Sequence, residues 1–212
     1  MDAYDSDVQL EHLKGWWNRY GNALILGIIL GIAGLVGANY WFRHRALSSD
    51  AASSLYDVML GQMLQKNMTA ASGDGQLLIS HYPSSPYAGN AALILARLSM
   101  EQGDISSAEA RLRWAMKHGR GGGVRNAARL RLARLLMQQG KLDAALKLAG
   151  TADHAGFMSD YDELRGDIFA AQGKNNEARQ AYAASLAALP AGSPYATVLR
   201  MKLDDLGPET GK

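Results

Sequence analysis

The chain has 212 residues, a formal net charge of +2 and no cysteine. A net charge so close to zero excludes strong electrostatic attraction of the whole molecule to nucleic acid or to an anionic surface, so any such signal must be local. The lack of cysteine excludes disulfides, thiolate metal sites and a cysteine nucleophile.

The first predicted element is a transmembrane helix over residues 23–42, which read ALILGIILGIAGLVGANYWF. Residues 20–42 contain no acidic residue, no basic residue and no histidine. Twenty residues of α-helix rise about 30 Å, which matches the hydrocarbon core of a bilayer. Aromatic residues bracket the segment, as expected at membrane interfaces: Trp16, Trp17, Tyr20, Tyr40, Trp41 and Phe42. A cleaved signal peptide has a shorter apolar region and a small-residue cleavage site, so we predict an uncleaved anchor after a short head, residues 1–22.

Small residues form a stripe along the predicted span: Gly27, Gly31, Gly34 and Ala38. Such a stripe lets a second helix approach closely, so these four residues are the predicted face for contact with another membrane helix. Two basic residues lie shortly before the span and two shortly after it. The positive-inside rule therefore leaves the orientation of the anchor open.

Residues 43–86 are predicted to form leading helices and a linker. Apolar and long side chains recur there at three- and four-residue spacing, which predicts one apolar helical face: Leu55, Val58, Met59, Gln62 and Met63. The sequence SGDG at residues 72–75 is expected to break this helix. Pro83 and Pro86 forbid continuation of the next apolar run.

Beyond residue 87 the sequence repeats itself in three segments, residues 95–115, 132–152 and 165–185. Each predicts a helix, a Gln-Gly turn and a second helix, and the turn glycines are Gly103, Gly140 and Gly173. Seven residues before each glycine stands a small residue, and five after it an alanine. The glycines are 37 and 33 residues apart, close to the 34-residue period of tetratricopeptide repeats.

The predicted fold is therefore all-α, with one N-terminal transmembrane helix followed by a tetratricopeptide-like helical-repeat solenoid over residues 87–206. The longer first spacing is assigned to a flexible insertion at residues 121–123. A helix over residues 193–206 is predicted to cap the solenoid, and residues 207–212 form the tail.

No constellation in the sequence predicts catalysis, a cofactor or a metal. The five histidines are scattered, with no two at the spacing of helical metal ligands, and no hydrolase or phosphate-loop motif is complete. The carboxylate pairs Asp162-Glu163 and Asp204-Asp205 point to different sides of a helix, which predicts solvated charge. We therefore predict that the protein is not an enzyme.

One charge pattern exceeds the background. Nine basic residues and no acid lie between Ala110 and Leu142, which indicates either a solvated helix face or a surface for acidic protein or anionic headgroups. The candidate repeat-groove or basic partner surface consists of Asn90, Arg97, Met100, Arg125, Arg129, Arg134 and Met137. The corresponding positions of the third unit are acidic: Asp160, Glu163 and Asp167. Nucleic acid is not expected, because Trp114 is the only aromatic residue available for base stacking in the basic stretch.

The whole arrangement resembles the YfgM-type family of ancillary subunits of the bacterial Sec translocon. The resemblance rests on the acidic start, the apolar span followed by basic residues, and the segments LRLARLLMQQGKLDAAL and LRGDIFAAQGKNNEARQAY. It implies a single-pass inner-membrane protein with a cytoplasmic N-terminus and a periplasmic repeat domain. It also implies two partners, the SecYEG channel and a membrane-anchored periplasmic chaperone.

The sequence thus predicts a non-enzymatic, membrane-anchored scaffold that assists the biogenesis of secreted or outer-membrane proteins. The expected partners are SecYEG, the chaperone, translocating polypeptides and the lipid bilayer. A membrane-tethered regulatory or assembly scaffold for another envelope or cytoplasmic complex is the alternative.

Overall fold

Nine helices account for the regular structure of the described residues, and no strand occurs among them. The computed structural model of the chain describes the backbone of residues 3–150 and 156–207; within the first helix it describes the side chains of residues 17, 20–22, 26–27, 30–39 and 48 onward. The helices are α1 (Ala3–Leu64), α2 (Met68–His81), α3 (Pro86–Glu101), α4 (Ile105–His118), α5 (Gly122–Gln138), α6 (Leu142–Gly150), α7 (Met158–Ala171), α8 (Asn175–Ala188) and α9 (Ala196–Asp205).

The chain divides between Asp50 and Ala51 into two compact units. In the first unit, the large aliphatic side chains that are described are more than half exposed: Leu26, Leu30, Ile32, Leu35 and Val36. Counted over the described residues alone, no helix reaches the length and mean hydropathy that crossing a membrane requires. The remaining side chains of the predicted span and the predicted tail beyond Gly207 lie outside the described residues.

The second unit is an all-helical tetratricopeptide-like solenoid, which confirms the repeat prediction. The pairs α3–α4, α5–α6 and α7–α8 are the three predicted units, and successive helices pack against one another. The turn glycines Gly103, Gly140 and Gly173 have φ of 76°, 74° and 72°. This left-handed conformation is readily adopted by glycine, which is why the turn of each unit carries one.

Small residues at the helix crossings of each unit are buried, as predicted. Ala108, Ala145 and Ala178, each five residues after a turn glycine, are fully buried. Gly166, the small residue seven before the third turn glycine, permits a very close approach, since a Cβ there would lie 2.4 Å from the ring of Tyr182. The two helices of the third unit can therefore cross at this distance only because residue 166 has no side chain.

The predicted helix break at residues 72–75 is wrong. Helix α2 runs through this segment, and the break lies earlier, at Lys66, where φ is 59°. Asn67 caps α2 by accepting a hydrogen bond from the backbone of Ala70. A Cβ on Gly75 would lie 3.0 Å from both Leu95 and Met59, so this glycine serves close packing.

The flexible insertion predicted at residues 121–123 is also placed differently. Gly122 and Gly123 belong to the first turn of α5, and only Gly121, with φ of 82°, keeps a special conformation as the residue before that helix. Only residues 119–121 connect α4 to α5, and most of the extra length lies in α5, which has 17 residues where α7 has 14.

A further helical pair precedes the three predicted units. Residues 51–64 of α1 and helix α2 share a core with α3. Its buried members are Ala52, Met59, Ala71, Leu78, Ala91, Leu95 and Leu98. The solenoid therefore begins before residue 87, and α9 follows α8 at its other end, with Leu199 buried against Tyr182 and Ala178.

Candidate functional site

Helices α3 and α5, the first helices of two successive units, form an open groove of about 440 Å³. Its floor is apolar and consists of Leu93, Ala96, Leu112 and Leu135, all of them buried. The rim is polar and charged. A floor that contacts apolar groups and a rim that orients charged ones are the usual composition of a binding groove.

Three of the predicted partner-surface residues line this groove: Arg97, Met100 and Arg134. Met100 is 39% exposed, and a Met side chain at such a surface adapts to differently shaped apolar groups. Arg97 donates a hydrogen bond of 2.8 Å from Nε to Oε1 of Glu101, also at the rim. This exposed pair leaves the guanidinium accessible, since the Arg97 side chain is 74% exposed.

The other four predicted residues do not line the groove. Arg125 donates to the backbone oxygen of Gly119 at 3.2 Å, and Arg129 donates to Oδ1 of Asn126 at 3.2 Å. Met137 packs against the main core, so it fills the core and does not form part of the groove. Asn90 is half-buried.

Sequence reasoning missed Arg131 and Gln138, which line the groove from α5. The prediction took equivalent positions in each unit, but two neighbouring parallel helices turn different faces toward each other. On α5 the facing residues follow a spacing of four and three, from Arg131 through Leu135 to Gln138. A helical-wheel projection in which α5 is rotated relative to α3 would have identified these two residues.

The charge of the groove is positive. Arg97, Arg131 and Arg134 stand against one acid of the lining, Glu101, so the lining residues carry a net charge of +2, although Arg134 also lies 3.9–4.0 Å from Glu163 and Asp160 of α7. Arg131 is exposed, and no ion pair is observed for it among the described residues. It is the most available cation of the groove.

The acidic positions of the third unit, which we name the acidic cluster (Asp160, Glu163 and Asp167), are held by basic groups of neighbouring helices. From α5, Nη2 of Arg134 lies 4.0 Å from Asp160 and 3.9 Å from Glu163. From α9, Nζ of Lys202 lies 2.6 Å from Glu163 and 2.7 Å from Asp167. The charges alternate across α5, α7 and α9.

Two tyrosines complete this network. The hydroxyl of Tyr195 donates to Glu163 at 2.6 Å, and that of Tyr182 donates to Asp167 at 2.8 Å. The hydrogen bond to Glu163, together with burial, raises the pKa of Tyr195. Burial raises the pKa of Tyr182, and its hydrogen bond to Asp167 raises it further. Partial burial alone would lower the pKa of Lys202, but hydrogen bonds to Asp167 and Glu163 raise it overall.

The prediction that Asp162-Glu163 is solvated charge is wrong. Both residues are 4% exposed. Asp162 is paired with Arg165 one turn along α7, and Glu163 lies in the network with Lys202. Carboxylates are buried here because each one has a cation and hydrogen-bond donors at contact distance. Asp204 and Asp205 are exposed, as predicted.

Much of the predicted basic stretch is engaged within the fold. Arg111 donates from Nη1 to Oγ of Ser99 at 2.6 Å, and Arg113 pairs with Glu109. Six of its nine basic residues are nevertheless exposed: Arg113, Lys117, Arg120, Arg125, Arg131 and Lys141. Of the nine, Arg131 and Arg134 line the groove.

The predicted membrane-helix face stays a prediction. Gly27, Gly31, Gly34 and Ala38 are exposed, and a Cβ built on any of the three glycines would contact nothing within 4 Å. In the described part of the chain, no group of three or more His, Asp or Glu side chains is placed to hold a metal ion.

The family model described as a tetratricopeptide repeat-like domain matches residues 14–208. The chain is 30% identical over 203 residues to the ancillary SecYEG translocon subunit of Neisseria gonorrhoeae, covering 95% of this chain and 97% of that protein. It is 27% identical over 209 residues to the protein of the same name from Escherichia coli K12, covering 97% and 99%.

The fold is shared with solved repeat structures at low sequence identity. A tetratricopeptide repeat protein from Parabacteroides merdae superposes with a TM-score of 0.57 over 73% of this chain and 59% of that one. The sequence identity is 14%. This likeness concerns the solenoid architecture.

Proposed function

The chain belongs to the family of ancillary SecYEG translocon subunits, which carry a tetratricopeptide repeat-like domain, and we propose that it is a membrane-anchored scaffold that associates with the SecYEG channel. The relatives' names support the translocon as partner. The open groove between α3 and α5 supports a binding role, because its lining contains both apolar and cationic side chains. The scaffold would assist the biogenesis of secreted or outer-membrane proteins without catalysis.

A membrane anchor over residues 23–42 is part of this proposal. It is supported by the uncharged run from residue 20 to residue 42 and by the exposure of the large aliphatic side chains between Leu26 and Val36. Five such side chains exposed to water would be unfavourable by about 1.5–3 kcal/mol each relative to an apolar environment. Lipid is the environment that would remove this cost.

The proposed anchor would also allow individually weak contacts between the repeat domain and its partners to be sufficient for association. A domain held beside the channel meets its partners at an effective concentration in the millimolar range, set by the tether. We propose a periplasmic chaperone and emerging polypeptides as the further partners of the repeat domain, in the bacterial inner membrane.

Site-specific crosslinking in native membranes tests the association with SecYEG. A photoreactive residue at position 30, on the exposed part of α1, should crosslink to a channel subunit. Replacing Gly27, Gly31 and Gly34 together with leucine should keep the protein in the membrane fraction but reduce crosslinking several-fold, because leucine side chains prevent close helix approach. The matched variant, with leucine at Gly37 alone, should crosslink normally. Absence of translocon crosslinks in the unsubstituted protein would refute the association.

The orientation is tested with single cysteines, which this cysteine-free chain allows without background. Ala184 is exposed on α8, whereas its neighbour Ser185 is fully buried. We expect the cysteine of Ala184→Cys to react with a membrane-impermeant maleimide once the outer membrane is permeabilised. Labelling only after lysis of the inner membrane would instead place the repeat domain in the cytoplasm and favour the alternative scaffold function.

A further inference from the structure

We propose that the groove between α3 and α5 binds a polypeptide segment in which an apolar side chain stands next to a carboxylate, with Arg131 as the main recognition residue. The proposal deepens the scaffold function above and rests on it. It names the chemical class of segment that the repeat domain accepts and the part of the solenoid that accepts it.

The size and floor of the groove fit an apolar side chain. Its volume of about 440 Å³ lies within the range of pockets that enclose small ligands. The floor residues Leu93, Leu112 and Leu135 are buried by the fold, yet their surfaces line the opening together with exposed Met100. An apolar side chain inserted there would complete packing that α3 and α5 leave open.

The rim fits a carboxylate. Arg131 is exposed and has no acid paired with it among the described residues. A guanidinium presents its donors in a fork that matches the two oxygens of a carboxylate. Arg97 and Arg134 flank the same opening, so a segment with a second acid would gain a further contact.

The rest of the surface formed by α5, α7 and α9 is a poorer site for such a segment. The three carboxylates of the acidic cluster face two cations there, Lys202 at 2.6–2.7 Å and Arg134 at 3.9–4.0 Å, so this surface keeps a net negative charge. An incoming acid would meet Glu163 and Asp167, and an incoming base would have to displace Lys202. The groove between α3 and α5, where Arg131 has no paired acid among the described residues, is therefore the better site for an acidic segment.

The shape favours a peptide over a lipid surface. The leucines of the floor are buried between the helices, whereas Arg97 and Arg131 at the same opening are exposed. A planar bilayer contacts protruding residues, whereas a side chain on a flexible chain can enter a groove. Anionic lipid is therefore the competing outcome of the test below.

The test uses the full chain in detergent and fluorescent peptides. One peptide carries repeated Leu-Asp pairs; in the second, lysine replaces each aspartate; in the third, serine replaces each leucine. We expect only the first to bind measurably, with affinity that falls as salt is raised. Arg131→Glu should weaken its binding at least about tenfold, which corresponds to about 1.4 kcal/mol, and Arg131→Lys should restore part of it.

Lys117→Glu is the matched control, because it makes the same change in net charge at a residue that is also exposed and does not line the groove. It should change peptide affinity less than about twofold, since a surface charge outside the groove is screened by salt. Equal losses in the two variants, or equal binding of all three peptides, would overturn the proposal. So would binding of phosphatidylglycerol vesicles that requires Arg131 while the Leu-Asp peptide fails to bind.

This outcome is separable from that of the proposed function. Arg131→Glu does not alter α1, so crosslinking from position 30 to the channel should persist in this variant. Peptide binding that fails while crosslinking persists removes the groove proposal alone. Crosslinking that fails while peptide binding persists removes the translocon association and leaves the groove as a binding site.

Discussion

Replacing Gly166 with alanine should destabilise the protein by about 1–3 kcal/mol, the usual range for overpacking. The added methyl group would lie 2.4 Å from Cδ1 and Cε1 of Tyr182, far inside van der Waals contact. Tyr182 is 4% exposed and its hydroxyl is hydrogen-bonded to Asp167, so the ring has no free direction in which to move. Chemical unfolding of the full chain, followed by circular dichroism, measures the loss.

Gly73→Ala is the matched control with the opposite expected sign. Gly73 lies inside α2, is exposed, and a Cβ there would contact nothing within 4 Å. Alanine should therefore stabilise the helix by up to about 1 kcal/mol, through the intrinsic helix preference alone. If both substitutions changed stability in the same direction, the close approach of α7 and α8 at Gly166 would not be the cause.

Replacing Lys202 with methionine should release α9 from the solenoid. Glu163 would then keep the hydroxyl of Tyr195 but lose its closest cation, and Asp167 would lose the same cation. Breaking a buried pair by removing one partner costs about 3–5 kcal/mol. We expect a loss of about 1–3 kcal/mol, because Lys202 is 28% exposed and water would partly solvate the remaining carboxylates.

Hydrogen exchange of the α9 amides is the sensitive measurement, since local opening of a terminal helix need not unfold the whole array. Exchange should accelerate in α9 and remain unchanged in α3 and α4. Arg200→Met is the control, because Arg200 is exposed on the same helix. Unaltered α9 exchange in Lys202→Met would show that the pairs of Lys202 with Glu163 and Asp167 do not hold the helix in place.

The same network predicts that α9 loosens at alkaline pH in the unsubstituted protein. The folded state raises the pKa of Lys202, Tyr182 and Tyr195, so it holds protons that the unfolded chain releases. Stability from such groups is complete below the unfolded pKa of about 10 and is lost as pH rises beyond it. Exchange in α9, corrected for the intrinsic pH dependence of exchange, should therefore rise relative to α3 above about pH 10.

The repeat units could be predicted from the sequence because their signals are local. The left-handed turn at Gly140 and the small residue Ala133 follow from backbone sterics and from helix crossing within one unit, and both occur at fixed spacing in all three units. The helix break expected at residues 72–75 failed because tertiary packing overrode helix propensity. Gly75 weakens the helix intrinsically, but it lets α2 approach Leu95 and Met59.

The pairing of charges could not be predicted, because it depends on how far each helix is rotated toward the next. Glu163 and Lys202 are 39 residues apart along the chain, and their contact exists only once α7 and α9 are placed. Arg131 and Arg134 are neighbours on one helix, yet Arg134 reaches the acidic cluster and Arg131 remains unpaired at the groove. Composition therefore located the basic stretch without showing which cations remain available.

The turn glycines also define where the chain can change length. The distance from small residue to turn glycine, and from that glycine to the buried alanine, is the same in all three units, whereas the distance between successive turn glycines differs by four residues. Three of the four extra residues lie at the start of α5, which has 17 residues where α7 has 14, at the end of the helix that is away from the hairpin turn. Insertions and deletions should therefore be tolerated where one hairpin joins the next and not at the hairpin turns, so that whole hairpins can be gained or lost while the spacing around each turn stays fixed.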